Sequence, residues 1–217
     1  QQRLIMLVFF VQALTFGSWL PRIPEVQQAL GADHATLALG LIGLPIGTLL
    51  SLPVSGRLAT RFGARGIIIV GFVLFLAAVS LPGWATSLPV FFFALMLTGA
   101  FMSLLELGLN IQADEIERGG DKLIMSTCHG FWSLGLMAGT LVGAGFIFLG
   151  VAPGLSQTIF ALLVLPFAMF TGFALQRTEA PAVDKPSVEK PKAFQLPHPA
   201  LLGICVFVVG TTLTEGA

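Results

Sequence analysis

The sequence predicts an all-α integral membrane protein, because its composition and the length of its apolar runs both match membrane-spanning helices. Of the 217 residues, 55% are apolar and only 10% are charged, whereas about a quarter of a typical soluble domain is charged. The mean hydropathy is +0.91. The apolar residues form runs of roughly twenty, the length that a helix needs to cross a bilayer. The formal net charge of +0 gives no bulk positive field that would attract nucleic acid.

Six apolar runs fill residues 1–175, and we predict that they form a bundle of six helices. The first run follows Arg3, but it is long for a signal peptide and lacks a small-residue cleavage site, so we expect an uncleaved helix. Two prolines, Pro21 and Pro24, end this run. The predicted spans are residues 4–20, 35–56, 66–81, 90–112, 123–150 and 155–175.

The character of the chain changes after the sixth run. In residues 176–199, prolines about every five residues alternate with mixed charges, which predicts an extended cytoplasmic linker. A seventh apolar run, residues 200–217, predicts the start of a further helix with a second membrane acid, Glu215. Since a spanning helix should not end directly after such an acid, we expect a longer protein whose C-terminal half follows.

The distribution of Lys and Arg predicts the orientation in the membrane. With the N-terminus in the cytoplasm, ten of the 11 basic residues lie in cytoplasmic segments and only Arg22 lies outside. This asymmetry follows the positive-inside rule, and we predict a multi-pass protein of the bacterial inner membrane. The ten are Arg3, Arg57, Arg61, Arg65, Arg118, Lys122, Arg177, Lys185, Lys190 and Lys192.

One acid, Glu106, stands inside the fourth apolar run. Asn110 and Ser103 share its helical face. A carboxylate at this depth costs about 2.5–3.5 kcal/mol on insertion scales, and such acids normally face a water-filled cavity or a partner. We therefore predict that Glu106 binds and releases protons. The alternative is a neutral acid that only holds two helices together.

The first and fifth runs carry further candidates. Gln12, Thr15 and Trp19 share one helical face and predict neutral solute contacts, although Trp19 fits an interface anchor equally well. His129 lies as far from the middle of the predicted 113–122 loop as Glu106 does. If the fourth and fifth helices are antiparallel neighbours, both residues would therefore lie about 10 Å inside the membrane from that loop. His129 is a candidate partner of Glu106 or simply a packed residue.

Gly135, Gly139 and Gly143 of the fifth run recur every four residues and predict a close-packing face.

A basic turn at residues 56–66 separates the second and third runs, and its cations suit the capping of helix C-termini. Gly56, Arg61, Gly63 and Arg65 resemble the loop signature G-x-x-x-D-R-x-G-R of the major facilitator superfamily, between transmembrane helices 2 and 3. The sequence departs from it at Thr60, where the family usually has an aspartate that completes a charge relay. The resemblance implies a conformational gate formed by Arg57, Arg61, Gly63 and Arg65.

Two further stretches resemble the fucose-permease-like branch of this superfamily. Glu106 and Asn110 match its Glu-x-x-x-Asn in helix 4, where the acid is implicated in proton-coupled sugar uptake. Residues 126–133, STCHGFWS, resemble the start of its helix 5 and add Trp132 to the candidate solute contacts. The fifth run lacks the Pro-Gly-Gly cluster of the antiporter signature, which favours uptake over exchange.

The resemblance implies two inverted three-helix repeats in this half, with the substrate site between two halves near the membrane midplane. We expect a secondary active transporter that moves a small hydrophilic solute, with a sugar as one candidate, by proton-coupled alternating access. The alternatives are efflux of amphipathic compounds, which the 19 phenylalanines would suit, and a non-transporting solute receptor on the same scaffold. The proton-coupling candidates are Glu106, His129 and Glu215.

No H-E-x-x-H motif, paired aspartate motif or phosphate-binding glycine loop occurs in the sequence. We therefore predict no enzymatic activity, no cofactor and no metal site. The expected partners are the solute, protons, the lipid bilayer and the C-terminal half of the same protein, and no nucleic acid.

Overall fold

The computed structural model describes residues 1–120 and 122–176, and every regular element within them is helical. The prediction of an all-α membrane protein is thereby confirmed. The predicted linker and seventh helix, with Glu215, lie outside the described residues. The helices are α1 (Gln2–Trp19), α2 (Ile23–Leu30), α3 (His34–Leu41), α4 (Gly43–Ser80), α5 (Leu88–Arg118), α6 (Met125–Phe148) and α7 (Pro153–Ala174), with 3-10 turns at Leu20–Arg22 and Pro82–Trp84.

Five helical stretches of the described chain are long and apolar enough to cross a membrane. One of them, His34–Trp84, has 51 residues, and a straight helix of that length would span about 75 Å, more than twice the ~30 Å apolar core of a bilayer. The chain breaks from helical geometry at Gly63, where φ is 71° and ψ is 163°, a conformation that glycine adopts readily and other residues do not. Residues 43–62 form the first arm of α4 and residues 64–80 form its second arm.

The two arms run in opposite directions along α5, so the five stretches make the six predicted passes. The first arm runs parallel to α5 and the second arm runs antiparallel to it. The turn predicted over residues 56–66 is therefore much tighter than expected, because the arms stay helical up to the residues beside Gly63. The contacting pairs are Gly43–Phe92 and Gly47–Met96 for the first arm, and Gly71–Leu105 and Ala78–Thr98 for the second.

The glycines of α6 pack directly on the backbone of α1, as their spacing predicts. A Cβ placed at Gly135, Gly139 or Gly143 would overlap a carbonyl oxygen of α1, and that of Gly139 would overlap the Leu14 oxygen. Small residues let two helices approach closely in a membrane, where packing and not the hydrophobic effect drives their association.

The same contacts recur between the first arm of α4 and α5, which shows that the bundle contains two repeats. α1 and α5 run in opposite directions, since Trp19 near the end of α1 packs on Phe91 near the start of α5, with ring centroids 6.2 Å apart. The repeats are therefore inverted, as predicted. The matched pairs are Phe10–Gly135 with Phe92–Gly43, Leu14–Gly139 with Met96–Gly47, and Gly17–Leu136 with Gly99–Leu44.

At one end of the bundle a buried arginine ties two connections together. Arg22 is fully buried, pairs with Glu25 at 3.0 Å and donates to the backbone carbonyl of Val151 in the α6–α7 loop. Burial of a charge requires such partners. Nearby, Asp33 caps α3 by accepting the N–H of Thr36 at 2.8 Å, and this side chain's hydrogen bonding to Thr36 holds the pKa of Asp33 below its usual value.

The glycine contacts predict a position-specific loss of stability. In Gly139→Ala the new methyl group meets the Leu14 backbone, which cannot move aside as a side chain would, and overpacking of this kind costs typically about 1–3 kcal/mol. We expect the apparent Tm of the purified protein in detergent to fall by roughly 2–10 °C.

The matched control is Gly145→Ala in the same helix, where a Cβ would meet nothing within 4 Å. Its apparent Tm should equal or slightly exceed the native value, because Ala has a higher helix propensity than Gly. Equal losses in the two variants would show that the contact between α1 and α6 does not set the effect, since the gain in helix propensity from Gly to Ala is common to both.

Candidate functional site

Glu106 is half-buried in α5. The groups that interact with its carboxyl are the Gln12 amide of α1 and the His129 ring of α6. The acid thus stands where three helices of the bundle approach one another. The structure brings Glu106 and His129 within electrostatic range. The similar depth expected for them rested on a loop over residues 113–122, whereas α5 continues to Arg118 and α6 begins at Met125.

His129 does not form a direct ion pair with Glu106 in the described part of the chain. Its ring is exposed and meets the edge of Phe9 with centroids 5.5 Å apart, while its backbone carbonyl accepts the Ser133 hydroxyl at 3.1 Å. A positive charge on His129 would therefore act on Glu106 through space. Such a charge favours the ionised carboxylate, whereas burial favours the neutral acid.

Asn110 lies one turn from Glu106 but does not bind its carboxyl. The Asn110 side-chain amide donates to the backbone carbonyl of Glu106 at 2.9 Å. The residue itself is half-buried. Trp132 of α6 is also half-buried and packs at the edge of the core.

The polar face of α1 points into the bundle. Gln12 and Thr15 are fully buried and Trp19 is 1% exposed, so Trp19 does not occupy the lipid-facing position of an interface anchor. The Thr15 hydroxyl donates to the Val11 carbonyl of its own helix at 2.9 Å. The solute contacts predicted for Gln12, Thr15 and Trp19 stay predictions, because in this conformation their side chains face other helices.

Two buried amides were missed in the sequence. Gln157 of α7 is 1% exposed and accepts the hydroxyl of Ser18 at 3.2 Å, which links α7 to α1. Gln112 of α5 is equally buried and has no hydrogen-bond partner for its amide in the described part of the chain. Gln112 borders a polar cavity of about 320 Å³ between the start of α1 and the end of α5. The available signal was the amide within the sixth apolar run for Gln157, whereas Gln112 stands at the polar end of the fourth run, between Asn110 and Asp114.

Among the arginines of the predicted gate, Arg65 makes a hydrogen bond to another helix, whereas Arg57 and Arg61 are exposed. Arg65 donates to the backbone carbonyl of Phe173 at 2.6 Å, one residue before α7 ends, so it caps that helix. Arg57 and Arg61 are exposed, and Arg61 lies over the Phe62 ring at 5.3 Å. Thr60, which replaces the family's usual aspartate, donates to the Arg57 carbonyl at 2.9 Å.

The loop predicted over residues 113–122, which is rich in acids, is helical up to Arg118, because α5 continues to that residue. One of its acids has a structural role: a carboxylate oxygen of Glu117 accepts the N–H groups of Ile124 and Met125 at 2.7 and 2.9 Å. Glu117 therefore caps the start of α6, where negative charge is favoured. Asp114 pairs with Arg118 at 2.8 Å on the exposed side of α5.

Comparison with known proteins decides the family. The model of the Major Facilitator Superfamily matches residues 5–215. The chain belongs to the Major Facilitator Superfamily. The described helices fit this membership, since they form the inverted three-helix repeats expected of one half of that fold.

Similar proteins from bacteria agree. The chain is 28% identical over 170 residues to an uncharacterised MFS-type transporter from Yersinia pestis. The matched region covers 77% of this chain and 44% of that protein. It is 29% identical over 135 residues to an uncharacterised transporter from Sinorhizobium fredii, covering 62% and 36%. A Bacillus subtilis protein named multidrug resistance protein 2 is 24% identical over 136 residues, covering 63% and 33%. The chain thus spans less than half the length of these curated relatives.

Arg65 should stabilise the bundle through α7. Its hydrogen bond from a charged donor to a helix C-terminus is worth about 1.5–3 kcal/mol, so Arg65→Ala should lower the apparent Tm by roughly 3–10 °C. Arg57→Ala in the same turn removes an exposed cation and should shift the Tm by no more than about 2 °C. Thermal unfolding of both variants in detergent checks this. Equal Tm values for Arg65→Ala and the native protein would exclude the capping role.

Proposed function

We propose that the full-length protein is a secondary transporter that moves a small hydrophilic solute across the membrane by alternating access and couples this movement to protons. The observation that carries the proposal is the half-buried Glu106 in an apolar span, with Gln12 and His129 beside it. Membership of the Major Facilitator Superfamily supports the transport part of the proposal, and the acid supports the coupling part. No enzymatic step and no cofactor belong to it.

Glu106 suits proton coupling because its environment can change with the state of the transporter. Closure of the cavity around the acid favours the protonated form, and contact with water or with a charged His129 favours the ionised form. A group that meets water on the two sides of the membrane in turn can load a proton on one side and release it on the other. An intramembrane acid with a candidate partner is the usual site of such a relay.

The remaining candidates take supporting roles in this proposal. Asn110 and Trp132 offer solute contacts from a half-buried surface. Arg57, Arg61, Gly63 and Arg65 control the balance between conformations from the turn of α4, and do not touch the solute. The protein lies in the bacterial inner membrane with its N-terminus in the cytoplasm, as the distribution of basic residues favours.

A second candidate is efflux of amphipathic compounds. The likeness to the Bacillus subtilis protein named multidrug resistance protein 2 favours it, as do the exposed apolar side chains of α6, which include Phe131, Leu134 and Met137. A cavity lined by such side chains would bind apolar molecules better than sugars.

Replacement of Glu106 tests the proposal. Glu106→Gln keeps the shape of the side chain but fixes a neutral form. In sealed vesicles with the full-length protein and an imposed pH gradient, labelled hexoses serve as neutral hydrophilic test solutes. The native protein should accumulate one of them, and Glu106→Gln should lose the accumulation by at least about tenfold, since one proton per solute is worth 1.36 kcal/mol per pH unit. Hexose exchange at equal pH should persist.

Asp114→Asn is the matched control, because Asp114 is an acid of the same helix that pairs with Arg118 on the exposed side; it should accumulate hexose like the native protein. Undiminished accumulation by Glu106→Gln would overturn the coupling role. If the native protein moves no hexose but extrudes ethidium, efflux of amphipathic compounds would replace transport of a hydrophilic solute as the proposed function.

A further inference from the structure

Gln12 is a buried amide without a hydrogen-bond partner. The side chain is fully buried, and neither its nitrogen nor its oxygen makes a hydrogen bond within the described chain. Buried polar groups are nearly always hydrogen-bonded, and an exception calls for an explanation. The explanation for Gln12 lies in its neighbour on α5.

The neighbour is the Glu106 carboxyl, which the Gln12 amide adjoins without reaching hydrogen-bond geometry. Among the described residues, His129 of α6 is the titratable group that acts on this carboxyl, while α1 offers the neutral Gln12. A rotation of either side chain would therefore let the Gln12 amide, which can donate and accept, form a hydrogen bond with the Glu106 carboxyl.

The chemistry of the two groups is complementary in both protonation states. An ionised carboxylate only accepts hydrogen bonds, whereas a protonated acid also donates one, and a glutamine amide does both. Rotation of the Gln12 amide thus offers its N–H to the carboxylate, or its oxygen to the acid. We propose that Gln12 is a positioning residue for Glu106, whose amide changes from donor to acceptor as Glu106 takes up a proton. This inference rests on the proposed role of Glu106 as the coupling group.

The position of Gln12 gives such a change a route to other helices. It lies on α1 between Phe9 and Phe16, on the helix whose backbone packs on Gly135 and Gly139 of α6. Further along α1, Ser18 donates a hydrogen bond to Gln157 of α7. A displacement of α1 that follows the Glu106 proton would therefore be felt by both α6 and α7.

Infrared spectroscopy of the purified full-length protein tests the contact with the proton itself as the probe. The carbonyl stretch of a protonated carboxyl that grows as pH falls, and that Glu106→Gln lacks, belongs to Glu106. Because a hydrogen bond lowers this frequency, Gln12→Met, which keeps the size of the side chain and removes its polar atoms, should shift the band to higher frequency. Gln157→Met makes the same exchange at another buried glutamine and should leave the band in place.

A second measurement needs no substitution at Gln12. In protein labelled at the side-chain δ carbon of glutamine with ¹³C, part of the side-chain carbonyl band should change over the pH range in which the Glu106 band grows, and this part of the change should be absent from Glu106→Gln. An unmoved carboxyl band in folded Gln12→Met, or a labelled glutamine band that ignores pH, would overturn the role of Gln12 and leave that of Glu106 standing. The absence of any carboxyl band that depends on Glu106 would instead remove the proposed function.

Discussion

The direct contact of glycine with backbone carbonyls is the interaction on which the rest of the bundle depends. At Gly139 against Leu14, and at Gly47 against Met96, no side chain separates the two helices. These contacts pair α6 with α1 and the first arm of α4 with α5, in matching register. Since α1 also packs on α5, the pairings fix where Gln12, Glu106 and His129 can meet.

The two repeats match in backbone packing but differ in chemistry. The register that relates Leu14 to Met96 relates Gln12 to Ala94, so the buried amide of the first repeat has an apolar counterpart in the second. Glu106 lies beyond the part of α5 that corresponds to α1, since α1 ends at Trp19. The scaffold is therefore repeated, while the acid and the amide of the candidate site are not repeated at the corresponding positions.

Much of this architecture could be predicted from the sequence, because apolar length, glycine spacing and an acid within a membrane span are local signals. The six passes and the close-packing face of α6 follow from them. The bonds of Arg65 to α7 and of Ser18 to Gln157 could not be predicted, since each depends on how distant helices approach one another. The cap that Glu117 makes on α6 is local, but it depends on where α5 ends, and α5 continues six residues beyond its predicted end. The tight reversal at Gly63 was also missed, because the arginines around it resemble an open loop while the arms stay helical.

Proton movement that accompanies solute movement is the most direct test of the role assigned to Glu106. In lightly buffered, de-energised vesicles with the full-length protein, addition of a transported hexose should make the outer medium more alkaline, because each solute carries a proton inward. The Glu106→Gln variant should exchange the same hexose without a pH change. Alkalinisation of equal size in that variant would contradict the assignment and place the coupling proton elsewhere in the protein.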